Sequence, residues 1–450
     1  MSQTVAPTES RSLLRRTGGF WLVTGLALVV AAISQAIGPV TVHLWRSQIG
    51  LLPIIYAVVL GAVVSMQRIR PLPIPAQRTA AGLVAPVIAV FMARLGLLIG
   101  PEMKNLGASS AALLLQEVGH VFGSVLFCLP IAVVLLGLGR AGIGATYSID
   151  REPMLGVIAE RFGGEAPEYK GALGTYVVGT VFGAIIAAVL ASVLGSLGVF
   201  SPDALSIGSA VGSTSMMLGA VGALTAMFPK QSDHLFALSA AASAVTGITG
   251  TYAAAFLALP LTRRLYPFWV RVAARLGRTG TAVEPLPPMR RGTGLAGAAT
   301  DTARPSLRST AATLGVFGVV MLVIQVIATR ALHPATLGGM VLLLVLAWVS
   351  IAVSRYLRWL PYIVVTMALS TLLSAPFSPV AGVILGLVKD IDLVALGTPV
   401  LALVGLSLGR DTKLLLASGW KLVVVAVTVI AASFVCATAV AELSLSFLSF

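Results

Sequence analysis

The chain has 450 residues, of which 57% are hydrophobic and only 10% charged, and its mean hydropathy is +0.98. This composition excludes a water-soluble fold, because no soluble core holds so large an apolar fraction. The net charge of +14 would suit nucleic acid, but the basic residues lie between long apolar runs. We therefore expect the partner of the chain to be the lipid bilayer and expect no nucleic-acid partner.

The apolar runs predict membrane-spanning helices, because each approaches or exceeds the length that a bilayer demands. The polar segment 1–18 precedes the first run and is predicted to remain cytoplasmic, with no cleaved signal peptide. We expect an all-α, polytopic bundle of about 10–12 transmembrane spans. The individual spans are predicted at 19–38, 49–66, 80–99, 118–138, 172–197, 235–259, 312–330, 337–353, 361–375, 392–409 and 418–441.

Three further apolar segments, 141–160, 205–228 and 376–390, contain Gly, Pro, Ser, Thr or charged residues where an ordinary span would be continuous. Irregular backbone is tolerated within a membrane only where protein or water surrounds it. These segments are therefore predicted to be broken helices, re-entrant hairpins or surface helices.

The segment 262–310 separates a first membrane half, 19–261, from a second, 311–450. It is rich in arginine, proline and glycine and is predicted to be a cytoplasmic linker, since basic loops mark the cytoplasmic side of a membrane protein. Binding of its arginines to anionic lipid is the alternative interpretation. For both the N-terminus and this linker to be cytoplasmic, 205–228 must enter and leave on the outer side.

A short internal likeness joins the two halves. Residues 96–106 read GLLIGPEMKNL and residues 405–415 read GLSLGRDTKLL. If the likeness is more than chance, it predicts an inverted repeat, which is the usual architecture of secondary transporters. The inverted arrangement requires 376–390 not to cross the membrane.

The segment IGSAVGSTSMMLGAVGA at 207–223 carries the strongest candidate site, because its glycines let the backbone bend and expose polar groups inside the membrane. Gly212, Ser213, Thr214 and Ser215 are predicted to bind a solute, and Ser209 a coupling ion. Close helix packing through small residues is the competing interpretation. A second tip is predicted at 139–153, where Asp150 and Arg151 would approach the solute unless they form a cytoplasmic turn.

Ionisable and hydroxyl side chains inside the spans are the remaining candidates. Arg94 is deep enough to bind an anion, although its side chain could also extend to the membrane surface. Glu117 and His120 share one helical face and are candidates for ion coupling, or simply begin a helix at the interface. Thr246 and Thr249 either face the 207–223 segment or satisfy their own helix backbone.

Catalytic signatures are absent from the sequence: no HExxH, GxSxG, Walker or dinucleotide-binding pattern occurs. We therefore expect no enzyme activity and no cofactor or metal, with Na⁺ or H⁺ as the coupling ion of a transporter for a small organic solute. Cys128 and Cys436 read as small buried hydrophobes. A channel is the main alternative, an intramembrane hydrolase a distant one, and a homodimer is left open.

The segments LALVGLSLGRDTKLLLASG at 401–419 and IGSAVGSTSMMLGAVGAL at 207–224 resemble bacterial elevator-type carriers of the bile-acid/sodium, glutamate/sodium and 2-hydroxycarboxylate symporter kind. The chain from about 45 to 442 also resembles an uncharacterised bacterial inner-membrane family, the domain of unknown function three-thousand-one-hundred. The carrier resemblance implies a scaffold domain, a mobile transport domain and a solute held between broken helices. The second half departs from this pattern, because no clear Gly/Ser hairpin follows 418–441.

Overall fold

The structure, a computed structural model, describes residues 10–44, 47–67, 69–147, 152–163, 166–277, 306–356 and 362–448. These residues form a helical bundle with one short β-hairpin. The elements are α1 (Ser10–Ile37), β1 (Val40–Leu44), β2 (Ser47–Leu51), α2 (Pro53–Met66), α3 (Ile74–Ala108), α4 (Ser110–Phe122), α5 (Cys128–Pro130), α6 (Ala141–Thr146), α7 (Glu152–Phe162), α8 (Pro167–Leu197), α9 (Pro202–Gly208), α10 (Thr214–Met227), α11 (Ser232–Ala253), α12 (Leu259–Arg275), α13 (Leu307–Thr329), α14 (Pro334–Tyr356), α15 (Tyr362–Ser374), α16 (Ala381–Val388), α17 (Leu393–Ser407) and α18 (Thr412–Leu448).

Seven helices within the described residues are long and apolar enough to cross a membrane. They are Gly19–Ile37, Ile74–Met103, Ser110–Leu135, Pro167–Leu197, Leu307–Thr329, Pro334–Tyr356 and Gly419–Phe447. Four shorter apolar helices, α2, α10, α15 and α17, lie among them. The prediction of a polytopic helical membrane protein is confirmed.

Two boundaries differ from the prediction. The span predicted at 49–66 begins as strand β2, which pairs antiparallel with β1, and its helix starts only at Pro53, a residue well suited to a first helical turn. Helix α12 extends to Arg275, well into the segment predicted as a linker, by continuing α11 through the π-helical turn Ala254–Ala258. Within 376–390, predicted to be interrupted, helix α16 has only 8 residues, about 12 Å, and is too short to cross a bilayer.

Helices α3 and α17 pack against each other in opposite directions. A Cβ at Gly409 would lie 2.8 Å from Gln77 Nε2 near the start of α3, whereas one at Gly397 would lie 3.1 Å from the Phe91 ring. Residues with higher numbers in α3 therefore pack beside residues with lower numbers in α17. The two copies of the short sequence likeness accordingly lie at opposite ends of the bundle, as an inverted repeat requires.

The two halves also pack reciprocally through these helices. Gly96 of α3 lies against Ser370 of α15, where a Cβ would meet the Ser370 Cβ at 2.7 Å. Gly405 of α17 occupies the equivalent position in the repeat, 309 residues later (405 minus 96), and lies against the main chain of Val58 and Ala62 in α2. The short helices α2 and α15 thus each pack on the repeat helix of the other half, α17 and α3 respectively, and only glycine permits such close backbone approach.

The helices form two packing groups, each containing parts of both halves. Helices α1–α3 and α13–α17 form the first group and α4–α12 with α18 form the second, and the groups share one apolar core, with α11 of the second packed along α3 of the first. The chain passes between the groups at Ser109, between α3 and α4, and again near Gly419, where φ is +72° and ψ is 154° within α18. Shifting Ser110 by the same 309 residues gives Gly419 (110 plus 309), so the two connections are equivalent in the repeat.

Charge is distributed unevenly between the two ends of the bundle. Following the helix directions, one end, here the basic end, carries Arg70, Arg78, Arg140, Arg161, Arg263, Arg264, Arg271, Arg275, Arg308 and Arg355. The opposite end carries most of the described carboxylates, namely Glu102, Asp203, Asp233, Asp390, Asp392 and Glu442. The assignment of these residues to the two ends, the basic end and the acidic end, uses only the packing directions of the helices and assumes no membrane.

Candidate functional site

The segment between α8 and α11 folds back within the bundle. Helix α10 runs parallel to α8, because Gly183 lies against Met216 and Gly195 lies against Met227. Helix α9 runs parallel to α11, because Asp203 contacts His234 and Ser206 contacts Ser239. Since α8 ends and α11 begins at the same end of the bundle, α9 and α10 form a re-entrant hairpin that enters and leaves there.

The tip of this hairpin lies deep in the bundle. Its residues 209–213 are non-helical, and Gly212 has a φ of +78°, a left-handed conformation that glycine adopts without strain. The first turn of α10 is level with Gly183, near the centre of the span Pro167–Leu197. The predicted break at 205–228 is therefore present as a re-entrant hairpin.

The tip presents polar groups at the start of α10. Ser213 precedes the helix with extended backbone, and its Oγ lies 2.9 Å from Ser215 Oγ. Ser213, Thr214 and Ser215 are all partly accessible, whereas Gly212 is buried. The first N–H groups of a helix have no partner within that helix and carry its positive dipole end. The arrangement can hold an anionic group or exchange hydrogen bonds with a solute.

Ser209, the predicted ion ligand, has a different environment. It is buried, and its Oγ lies within hydrogen-bond distance of two oxygens, Ser206 O at 2.6 Å and Ser239 Oγ at 2.9 Å. Ser206 Oγ in turn donates to Leu235 O, at 2.5 Å. These hydroxyls join α9 to α11, so Ser209 supports the hairpin in the way that the close-packing interpretation describes.

A second polar group joins α4 to α11. Glu117 and His120 are both buried, and Glu117 Oε1 lies 3.6 Å from His120 Nδ1, as their shared helical face predicts. Gln116 Nε2 donates to Thr246 Oγ1 at 2.7 Å. The main-chain oxygen of His120 accepts a hydrogen bond from Ser433, which lies midway along the span Gly419–Phe447. Ionisable side chains thus occupy the centre of the second packing group.

Thr249 and Arg94, both predicted site residues, differ in whether their polar atoms have hydrogen-bond partners. The Thr249 hydroxyl donates to Val245 O of its own helix at 2.9 Å, so its described hydrogen bond is local. Arg94 is only 5% exposed, and its Nε and Nη1 atoms have no hydrogen-bond partner among the described residues. A buried guanidinium with unpartnered donors is costly unless another group compensates for it.

A cluster of ionisable side chains lies at the acidic end of the bundle, and it was not among the predicted sites. His234 lies between two carboxylates, with Nδ1 at 3.2 Å from Glu102 Oε2 and Nε2 at 3.3 Å from Asp203 Oδ2. The hydrogen bond to Asp203, assisted by Glu102 and opposed by burial, raises the pKa of His234. No local sequence pattern predicts this cluster, because Glu102 and Asp203 are distant from His234 along the chain.

The second predicted tip cannot be assessed at its key residues, since Asp150 and Arg151 lie outside the described residues. The helices that flank them, α6 and α7, are short and lie at the basic end. There Arg140 makes two hydrogen bonds to the fully buried Glu168, Nε to Oε1 at 2.8 Å and Nη2 to Oε2 at 3.0 Å. This charge pair fixes the start of α8 beside α6.

The fold and site together define a polytopic helical membrane protein with inverted repeats and a re-entrant hairpin. Within the described part of the chain, no group of three or more His, Cys, Asp or Glu side chains is arranged to hold a metal ion. The family described as "Protein of unknown function (DUF3100)" matches residues 32–268, more than half of the chain, and the protein belongs to this family. No curated protein and no solved structure matches the chain.

Proposed function

We propose that the protein is an ion-coupled secondary transporter that moves a small organic anion, such as a carboxylate or an amino acid, across the bacterial inner membrane. The observation that carries this proposal is the re-entrant hairpin, whose tip brings main-chain and hydroxyl groups of 212–215 to the middle of the bundle. Transporters of this architecture place solute sites at such discontinuous helices, where exposed backbone is tolerated beside a solute or water.

The remaining polar groups supply the other functions of a carrier. Arg94 is the buried cation available to an anionic group, and Glu117 with His120 is the titratable pair available to a coupling proton. Thr246, in contact with Gln116, provides oxygen atoms to a sodium ion if that is the coupling ion. Movement between the two packing groups about Ser109 and Gly419 would expose the tip to each side in turn.

The charge distribution supports one orientation. Lysine and arginine near the ends of spans favour the cytoplasmic side, so the basic end is assigned to the cytoplasm and the acidic end to the outside. The N-terminus belongs to the basic end, because Gly19 of α1 packs near Thr79 at the start of α3. The hairpin then enters from the outside.

Purified protein in liposomes provides the test. A carrier shows saturable solute uptake that depends on an imposed proton or sodium gradient, whereas a gradient-insensitive, voltage-dependent current would replace the proposal with a channel. Ser213→Leu is expected to abolish uptake while the protein still inserts, because it fills the tip. Ser196→Leu is the matched control, since Ser196 lies near the end of α8, away from the tip, and its Oγ donates to Ser192 O at 2.7 Å. Unchanged uptake by Ser213→Leu would remove the tip from the site.

A further inference from the structure

The surroundings of Arg94 narrow the class of solute. Arg94 is buried at 5% exposure, yet its Nε and Nη1 atoms find no acceptor within the described residues. Two aspartates of neighbouring elements, Asp233 and Asp392, nevertheless lie close enough to Arg94 to interact with it electrostatically. The guanidinium therefore lies within electrostatic range of two carboxylates and has no described hydrogen bond to either.

The helix directions explain this grouping. Phe91 of α3 lies against Gly397 of α17, and the two helices are antiparallel, so Arg94 lies one turn closer to Asp392 at the start of α17. The contact of Glu102 with His234 brings the first turn of α11, and with it Asp233, to the same part of α3. The group therefore spans the boundary between the two packing groups, with Asp233 on one side and Arg94 and Asp392 on the other.

Asp392 is held in place at this boundary. Its Oδ1 accepts a hydrogen bond from Ala395 N at 2.6 Å and caps α17. Gln325 of α13 fixes the preceding turn, because its Nε2 donates to Asp390 O at 2.8 Å and its Oε1 accepts from Asp392 N at 3.1 Å. The side chains of Asp392 and Asp233 both remain exposed, so they are open to a solute that reaches Arg94.

The balance of charges selects the ligand. One guanidinium and two carboxylates leave the group with an excess negative charge, and a purely anionic solute would add a third carboxylate. We infer that Arg94, Asp233 and Asp392 bind a solute that carries both a carboxylate and an ammonium group, that is, an α-amino acid. The carboxylate pairs with the free Nε and Nη1 donors of Arg94, and the ammonium group pairs with the two aspartates. This inference rests on the proposed transport function and specifies its solute.

Binding to the detergent-solubilised full chain tests the inference. The probes are the standard α-amino acids, and for each one that raises the melting temperature, its deaminated acid and its decarboxylated amine. We expect stabilisation by the amino acid and little or none by either analogue. Arg94→Met and Asp392→Asn should each raise the Kd at least tenfold, because each removes one charge-assisted contact. Asp390→Asn is the matched control and should leave the Kd unchanged, since the described contact of Asp390 uses its main-chain oxygen.

Several results would overturn the inference. Equal stabilisation by a deaminated acid would show that the ammonium group is not recognised, and an unchanged Kd in Arg94→Met would remove Arg94 from the site. Absence of stabilisation by every amino acid would also contradict it. Uptake into liposomes then separates the two proposals: saturable uptake of a simple carboxylate leaves the transporter standing without this solute, whereas no saturable uptake of either class contradicts both.

Discussion

At the scale of single residues, the molecule contains polar side chains where a lipid-embedded bundle would otherwise be apolar. Gln116, Glu117, His120 and Arg94 are all less than a tenth exposed. Each such side chain costs several kcal/mol within a membrane unless it is paired or reached by water or a solute. Under the proposed transport function, these are the side chains that a solute or a coupling ion would reach.

His234 allows a test of the ionic cluster by pH. Its folded pKa is raised, so its charge stabilises the fold fully below the ordinary histidine pKa, and this contribution is lost as the pH rises through the folded value. We expect His234→Gln to lower the melting temperature most near pH 6 and progressively less toward alkaline pH, by an amount equivalent to about 1 kcal/mol at most. Thermal unfolding at several pH values above the carboxyl range measures this.

His333→Gln is the control for this measurement, because His333 is an exposed histidine in the turn between α13 and α14. Its effect on the melting temperature should not vary with pH. A pH-independent effect of His234→Gln would contradict the assigned role of the cluster with Glu102 and Asp203.

At the scale of elements, the inverted repeat is held together by glycine. Gly96 and Gly405 occupy equivalent positions, and each brings its helix, α3 or α17, against the main chain or Cβ of a short helix from the other half. Small residues permit such close helix crossings in membranes, where van der Waals contact replaces the hydrophobic effect as the force of association. The reciprocal contacts α2 with α17 and α15 with α3 therefore define the first packing group.

Substitution at these glycines should destabilise the protein. In Gly405→Ala the new Cβ would lie 2.8 Å from Ala62 N, and in Gly96→Ala it would lie 2.9 Å from Met367 O, both main-chain atoms that cannot move aside alone. We expect each change to cost about 1–3 kcal/mol. Gly315→Ala is the control, because no atom lies within 4 Å of its added Cβ and alanine favours the helix by up to about 1 kcal/mol. Equal melting temperatures for all three variants would refute the assigned contacts.

At the scale of the whole molecule, the two packing groups and the two ends are the organising features. Each group draws helices from both sequence halves, and within the described residues the chain joins the groups at two equivalent connections. The separation of basic and acidic ends favours one orientation in a membrane. Under the proposed transport function, the first group would act as a scaffold and the second would carry the hairpin.

The proposed direction can be measured by labelling. In a chain with Cys128 and Cys436 replaced by serine, Lys230→Cys and Arg330→Cys at the exposed acidic end should react with a membrane-impermeant maleimide in intact cells. Arg70→Cys and Arg271→Cys, exposed at the basic end, should react only after the membrane is permeabilised. The reverse pattern would invert the orientation, and mixed reactivity within one end would contradict the assignment of helices to ends.

The sequence alone predicted several features of the site, and for identifiable reasons. Glu117 and His120 lie on one helical face because their spacing makes this inevitable in a helix. The break at Gly212 was predictable because glycine and hydroxyl residues interrupt an apolar run. In contrast, the carboxylates near Arg94 lie in α11 and at the N-cap of α17, and those that contact His234 lie in α3 and α9. No local pattern encodes contacts between segments so distant along the chain.

What the sequence by itself determined is the class of molecule: a helical membrane protein, because lipid requires long apolar segments whose backbone groups are satisfied within each helix. It also indicated a repeat through the likeness of 96–106 to 405–415, which the structure supports by the equivalent packing of Gly96 and Gly405. Only the tertiary structure decided that the repeat is inverted, that 205–228 turns back on itself, and that Asp233 and Asp392 flank Arg94. The physical reason is that helix direction and ionic neighbours depend on which helices cross, and crossing is set by close contact between small residues of both halves.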